Sequence, residues 1–96
     1  MSERELGANL EDACKKLGWR YYHTFSSQHS VAGFPDYVLV RDERLIFGEL
    51  KREGKDLTDA QGEWLADLFL CGDVECYIWR PSDWDSGAIL KVLEEP

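Results

Sequence analysis

Two acidic residues and a lysine stand at spacings that could build a metal centre. Asp36 precedes one predicted strand, whereas Glu49 and Lys51 lie at the end of the next. If the connecting hairpin turns between Asp42 and Glu43, Asp36 falls directly opposite Glu49, with Cβ atoms about 5 Å apart. Facing carboxylates between apolar strands repel each other and lose hydration, and a divalent cation removes both penalties. Oxygen ligands without histidine or cysteine favour Mg²⁺ or Mn²⁺ over zinc.

Lys51 lies two residues beyond Glu49, so strand alternation directs both side chains to one face. An ammonium group beside a metal can orient an attacking water or stabilise the charge that grows on a phosphate in the transition state. The Leu50 side chain between them should point into the core, which leaves its backbone carbonyl as a candidate ligand. We therefore predict Asp36, Glu49 and the Leu50 carbonyl as metal ligands, with Lys51 as a catalytic group.

The first predicted helix offers a third carboxylate. A capping box of Ser2 and Glu5 begins this helix, and Gly18 ends it. At about 100° per residue, Glu3 falls near the centre of the apolar stripe, whereas Glu5 and Glu11 point well away from it. The stripe consists of Leu6, Leu10, Ala13, Cys14 and Leu17. We therefore expect Glu3 to join the site, and Glu5 is explained as the capping partner of Ser2.

The remaining elements predict a sheet that holds these groups. Strands are expected over residues 19–25, 37–40, 45–47 and 75–79, with a loop over 26–33. A second helix should begin at a Thr58–Gln61 capping box and end at Gly72. Residues 82–85 suggest a capped turn, and 88–93 suit either a strand or a helix. The order αβββαβ predicts an α/β fold with a mixed central sheet flanked by helices.

Three motifs carry a resemblance to a known family. They are Gly33-Phe34-Pro35-Asp36, Glu49-Leu50-Lys51, and Gln61 with Trp64-Leu65. Together they resemble the virus-type replication-repair nuclease (VRR-NUC) family of the PD-(D/E)xK, or restriction-endonuclease-like, superfamily, over nearly the whole chain. The resemblance implies a restriction-endonuclease-like αβββαβ core, metal binding by Asp36 and Glu49, a catalytic Lys51, and Gln61 as a further site residue. The opening Glu3-Arg4-Glu5-Leu6 is also similar to archaeal Holliday-junction resolvases, in which the first acid is functional.

The implied function is a Mg²⁺- or Mn²⁺-dependent endonuclease that hydrolyses DNA phosphodiester bonds. A chain of 96 residues has no room for a separate sequence-reading module, so we expect a homodimer that selects branched DNA by shape, as a Holliday-junction resolvase does. A non-catalytic DNA-binding or assembly module with a nuclease fold is the alternative. A sequence-specific restriction enzyme would need recognition insertions, and none is visible.

The formal net charge of −8 opposes a nucleic-acid partner, because DNA binding depends on Lys and Arg side chains. Basic residues are nevertheless clustered near the predicted site, where they could contact phosphates. Arg52 and Lys55 follow Lys51 closely, and Arg20 and Ser27 are further candidate DNA contacts. His23 and His29 suit either general bases or DNA contacts, although a lone histidine on an aromatic strand or in a polar loop is more often structural or solvated.

Length and composition predict a single domain over residues 1–96. The charged amino terminus excludes a secretory signal, and no apolar run approaches the roughly 18 residues of a membrane span, so we expect a soluble cytoplasmic protein. The three cysteines Cys14, Cys71 and Cys76 lack C-x-x-C spacing and stand in apolar contexts. They predict free thiols rather than disulfides or a zinc site.

Overall fold

A computed structural model describes residues 1–24 and 30–96 of the chain. The predictions for Phe25, Ser27 and His29 therefore lie outside the described residues. Within them, the elements are α1 (Glu3–Leu17), β1 (Arg20–His23), β2 (Tyr37–Arg41), β3 (Arg44–Leu50), α2 (Asp59–Phe69), β4 (Glu75–Trp79), α3 (Pro81–Asp85) and α4 (Ala88–Glu94). The predicted α/β class and the leading αβββαβ order are confirmed. None of the helices in this part of the chain has the length and apolarity required to cross a bilayer.

The described residues form one four-stranded mixed sheet in the order β1-β2-β3-β4. β1, β2 and β3 pair antiparallel, and β4 adds parallel to β3. Asp42 and Glu43 join β2 to β3 with φ values of 47° and 71°, both positive as in the type I′ turns that suit two-residue hairpins. Tyr37 consequently pairs with Gly48, which confirms the predicted register.

Both predicted capping boxes are present. The Ser2 hydroxyl accepts a hydrogen bond from the Glu5 amide, and the Glu5 carboxylate accepts one from the Ser2 amide, each at 3.1 Å. At α2, the Gln61 amide donates to the Thr58 hydroxyl at 3.2 Å, and the Thr58 amide donates to Gln61 Oε1 at 2.9 Å. These bonds satisfy amides that a helix leaves without backbone partners, so they set where each helix begins.

The end of the second helix was predicted wrongly. α2 stops at Phe69, and Gly72 (φ 74°) belongs to the turn that follows. Downstream, the expected capped turn is the short helix α3, which starts at Pro81 because proline's φ suits the first helical position. The ambiguous last segment is helix α4, since Ile89 and Leu93 are both buried at a spacing of four residues.

The main core lies between α1, α4 and one face of the sheet. Its buried members are Leu6, Leu10, Ala13, Cys14, Trp19, Tyr37, Leu39, Ile46, Leu50, Trp79, Ile89 and Leu93. All three cysteines are free thiols. Cys14 is buried as predicted, but Cys71 is exposed just beyond α2, so its expected apolar setting is wrong. The core thus anchors the helix and strand ends that surround the predicted site.

Candidate active site

Gly7 allows α1 to lie close to the carboxyl end of β3. A Cβ atom at this position would stand 3.0 Å from the Tyr37 hydroxyl and 3.6 Å from the Leu50 side chain. A larger side chain here would therefore require the Tyr37 hydroxyl to shift. Glu3, Gly7 and Glu11 are spaced by four residues, so they share one face of α1. This face lies beside the ends of β1, β2 and β3.

A cleft of ≈ 390 Å³ opens between this face of α1 and the sheet. Its lining includes Glu3, Arg4, Glu11, His23, Asp36 and Tyr37. Glu3 lies here as predicted, and its carboxylate accepts a bond from the Arg52 amide at 3.3 Å. Glu11 was predicted to point away from the sheet, and that prediction is wrong. Its carboxylate accepts a 2.5 Å hydrogen bond from the Tyr37 hydroxyl.

Asp36 and Glu49 come together at the end of the β2–β3 pair. The next position beyond the Tyr37–Gly48 pair in the observed register is Asp36 opposite Glu49. Asp36 Oδ2 accepts a hydrogen bond from the Leu50 amide at 2.9 Å. This bond holds the Asp36 carboxylate against the end of β3. The predicted juxtaposition of the two acids therefore follows from the hairpin.

The Leu50 carbonyl faces the same side as Asp36. The Lys51 amide donates to the Trp79 carbonyl in β4 at 3.0 Å, whereas the Leu50 amide donates towards Asp36. The N–H and C=O groups of one strand residue point to the same edge, so the Leu50 carbonyl is also directed towards Asp36. The Leu50 side chain is buried in the core as expected. This orientation is the one that the predicted ligand role requires.

Glu49 is a buried acid with an unsatisfied oxygen. Its side chain is 2% exposed, and among the described residues Oε2 has no hydrogen-bond partner. Burial, followed by the hydrogen bond and charge of Asp36, raises the pKa of Glu49 to about 9, although Lys51 acts in the opposite direction. An unpaired buried carboxyl oxygen destabilises a fold unless something binds it.

The Lys51 ammonium is placed by the start of α2. Lys51 is 5% exposed, and its Nζ donates to Gln61 Oε1 at 2.8 Å. The same oxygen accepts the Thr58 amide in the capping box. Gln61, which the family resemblance implied as a site residue, therefore joins the helix start to the lysine. The cap geometry limits where the ammonium can go.

These groups fit a hard divalent cation. The orphaned Glu49 oxygen, the Asp36 carboxylate and the Leu50 carbonyl are oxygen donors of the kind that Mg²⁺ and Mn²⁺ prefer. In residues 1–24 and 30–96, no group of three or more His, Cys, Asp or Glu residues could hold a metal ion. A cation here would therefore draw on two carboxylates, a carbonyl and water, which matches the few protein ligands typical of magnesium sites.

Comparison with known proteins adds no assignment for this site. No protein-family model, curated protein or solved structure matches the chain. The case for a site at Asp36, Glu49 and Lys51 therefore rests on the burial, bonding and chemistry of these residues in this molecule.

The candidate DNA contacts are only partly brought to the site. Arg52 and Lys55 are exposed in the segment that follows Lys51, whereas Arg20 is exposed on the edge strand β1. Ser27 lies outside the described residues. The structure thus places two of the four candidates in the segment directly after Lys51.

Arg80, which no sequence pattern marked, holds this basic segment. Its Nη1 donates to the backbone carbonyls of Arg52 and Lys55, both at 2.8 Å. The Ser82 amide donates to the Glu53 carboxylate at 2.6 Å, and these contacts with Ser82 lower the pKa of Glu53. Two bonds from one guanidinium fix the turn between Arg52 and Lys55, so their side chains are presented from an ordered backbone.

Proposed function

We propose that this chain is a metal-dependent endonuclease that hydrolyses DNA phosphodiester bonds at a centre formed by Asp36, Glu49 and Lys51. The observation that carries the proposal is the unpartnered, buried Glu49 oxygen opposite a second carboxylate. Concentrating three ionisable groups at one sheet end is costly for folding, and acids with strongly perturbed pKa values are typical of functional sites. The motif spacing supports assigning the sheet to the restriction-endonuclease-like class and the chain to the virus-type nuclease family.

Each residue has a defined task in this proposal. Asp36, Glu49 and the Leu50 carbonyl would hold one Mg²⁺ or Mn²⁺. When bound, the cation supplies Lewis-acid activation of the phosphate and neutralises its charge. Lys51 orients the attacking water with its ammonium group, and Gln61 keeps that ammonium in place. Glu3 extends the acidic wall of the cleft.

We further propose that the substrate is branched DNA and that the enzyme is a homodimer active in DNA repair. One protomer presents few basic contacts, namely Arg20, Arg52 and Lys55, on a chain of net charge −8. Its affinity for a polyanion should therefore be low and strongly salt-dependent. A twofold dimer doubles the contacts and sets two sites in fixed relation, which suits a four-way junction.

A cleavage assay on single-stranded, duplex, flapped, splayed and four-way DNA tests this function. With Mg²⁺ or Mn²⁺ we expect paired symmetric nicks in the junction, and with EDTA or the Asp36→Asn variant no nicks. Equal cutting of duplex and junction, or a stable monomer on junction DNA in sedimentation, would remove the resolvase proposal. Binding without any cleavage by folded protein would instead favour the non-catalytic DNA-binding module.

A further inference from the structure

One wall of the cleft carries a histidine that the proposed function does not use. His23 lies on β1, and its ring stacks on Tyr37 with centroids 4.4 Å apart and planes 6° apart. Its Nδ1 stands 4.0 Å from Glu11 Oε2, the same oxygen that accepts the Tyr37 hydroxyl. The side chain is 49% exposed. Two neighbours thus orient the imidazole, while part of the ring remains open to the cleft.

His23 lies among mainly acidic groups, where a proton donor would help an anionic phosphate to bind. The charged and titratable groups that line the cleft with His23 are Glu3, Arg4 and Glu11 from α1, Tyr37 from β2, and Asp36 directly before β2. Burial and the bond to Glu11 raise the pKa of Tyr37, so its phenol keeps its proton and stays a donor to Glu11. A phosphodiester entering an acidic cleft gains from any cationic donor there, and an imidazolium carries a proton on both nitrogens.

His23 and Lys51 lie at the same end of the sheet, where β1 and β3 both finish, but they contact opposite faces of it. His23 contacts Tyr37 and α1 on one face of the sheet, whereas Lys51 bonds to Gln61 of α2 on the other. In phosphoryl transfer, the attacking and leaving oxygens are roughly in line through phosphorus. If a phosphate binds at this sheet end with the Lys51 ammonium beside the attacking water, the in-line arrangement directs the leaving oxygen to the opposite side, where His23 lies.

We propose that His23 is a catalytic residue, the general acid that protonates the leaving oxygen of the scissile phosphodiester. This inference rests on the proposed nuclease function. The water oxygen forms a new bond to phosphorus and releases a proton to solvent. The bond from phosphorus to the leaving oxygen breaks, its electron pair stays on that oxygen, and the His23 imidazolium supplies the proton. Solvent then reprotonates the imidazole.

The test compares two leaving groups in the same DNA. After the cut is mapped, sulfur replaces the leaving oxygen of that linkage, because a thiolate departs without needing a proton. His23→Gln should slow cleavage of natural DNA by at least about 100-fold, the lower end for loss of a general acid. On the sulfur-substituted DNA the variant should cleave nearly as fast as wild type. Tyr22→Gln, an exposed neighbour on β1, serves as the matched control.

Control measurements on the same variants separate a catalytic role of His23 from a structural one. The melting temperature and junction affinity of His23→Gln should equal those of wild type, and His23→Asn should show the same leaving-group dependence. Equal slowing of both DNAs would show a structural role and overturn the proposal, as would normal cleavage of natural DNA. If the wild type cleaves neither DNA, the nuclease function itself fails, which is distinct from a failure of the His23 role alone.

Discussion

Replacing Glu49 with glutamine is expected to stabilise the metal-free protein at neutral pH. Burial and Asp36 raise the pKa of Glu49 from 4.5 to about 9. The protonated carboxyl group therefore supports the fold fully below about pH 4.5, and this contribution is lost as the pH rises towards 9. Glutamine stays neutral at every pH and can donate an N–H to Asp36, as the protonated acid does.

The size of the effect follows from the thermodynamic linkage between protonation of Glu49 and folding. Each pH unit between 4.5 and 7 removes about 1.4 kcal/mol from the free energy of unfolding, which gives an upper bound of about 3.5 kcal/mol at pH 7. A third of that bound, about 1 kcal/mol, shifts the melting temperature of a domain this size by about 4–8 °C. Thermal unfolding in EDTA between pH 5 and 8 measures the difference, which should grow with pH.

A matched control separates this effect from the loss of one negative charge. Glu63 is an exposed acid on α2, and Glu63→Gln should leave the melting temperature nearly unchanged at all pH values. The reasoning is refuted if Glu49→Gln is no more stable than wild type at pH 7, or if its advantage is the same at pH 5 and pH 8.

Three other predictions test the site. Mn²⁺ should raise the melting temperature of wild type but not of Asp36→Asn, because the ion binds the folded carboxylate pair; equal shifts would place it elsewhere. Glu3→Gln should slow DNA cleavage more than Glu5→Gln, since Glu3 lines the cleft and Glu5 does not; the reverse order in a rate assay would contradict this assignment. Arg80→Ala should weaken junction binding by freeing the turn between Arg52 and Lys55. Unchanged affinity in a fluorescence titration would show that the turn does not need its guanidinium.

The local signals in the sequence were enough to predict the placement of Asp36 and Glu49. The turn at Asp42 and Glu43 determines the register of β2 against β3, and the register determines which acids oppose each other. The capping boxes at Ser2 and Thr58 likewise depend only on residues three positions apart. These short-range features were therefore predictable.

The errors came from contacts between distant segments. Periodicity counts apolar side chains, so it gave no weight to the buried Gly7 or to the Tyr37 hydroxyl, which donates a hydrogen bond to Glu11 in the cleft. The contact of Lys51 with Gln61 depends on how α2 crosses the sheet end. Arg80 bonds to backbone carbonyls more than twenty residues earlier, and no spacing rule reports such a contact. Packing between elements decides these details.

The most direct test of the central claim is single-turnover cleavage of a four-way junction by wild type and Lys51→Met in Mg²⁺. Methionine keeps an apolar stem in this buried position but removes the ammonium. We predict cleavage by wild type and a rate at least about 100-fold lower for the variant, the scale of losing an electrostatic catalytic group, with junction affinity retained. Cleavage by folded Lys51→Met at a rate close to wild type would contradict the account.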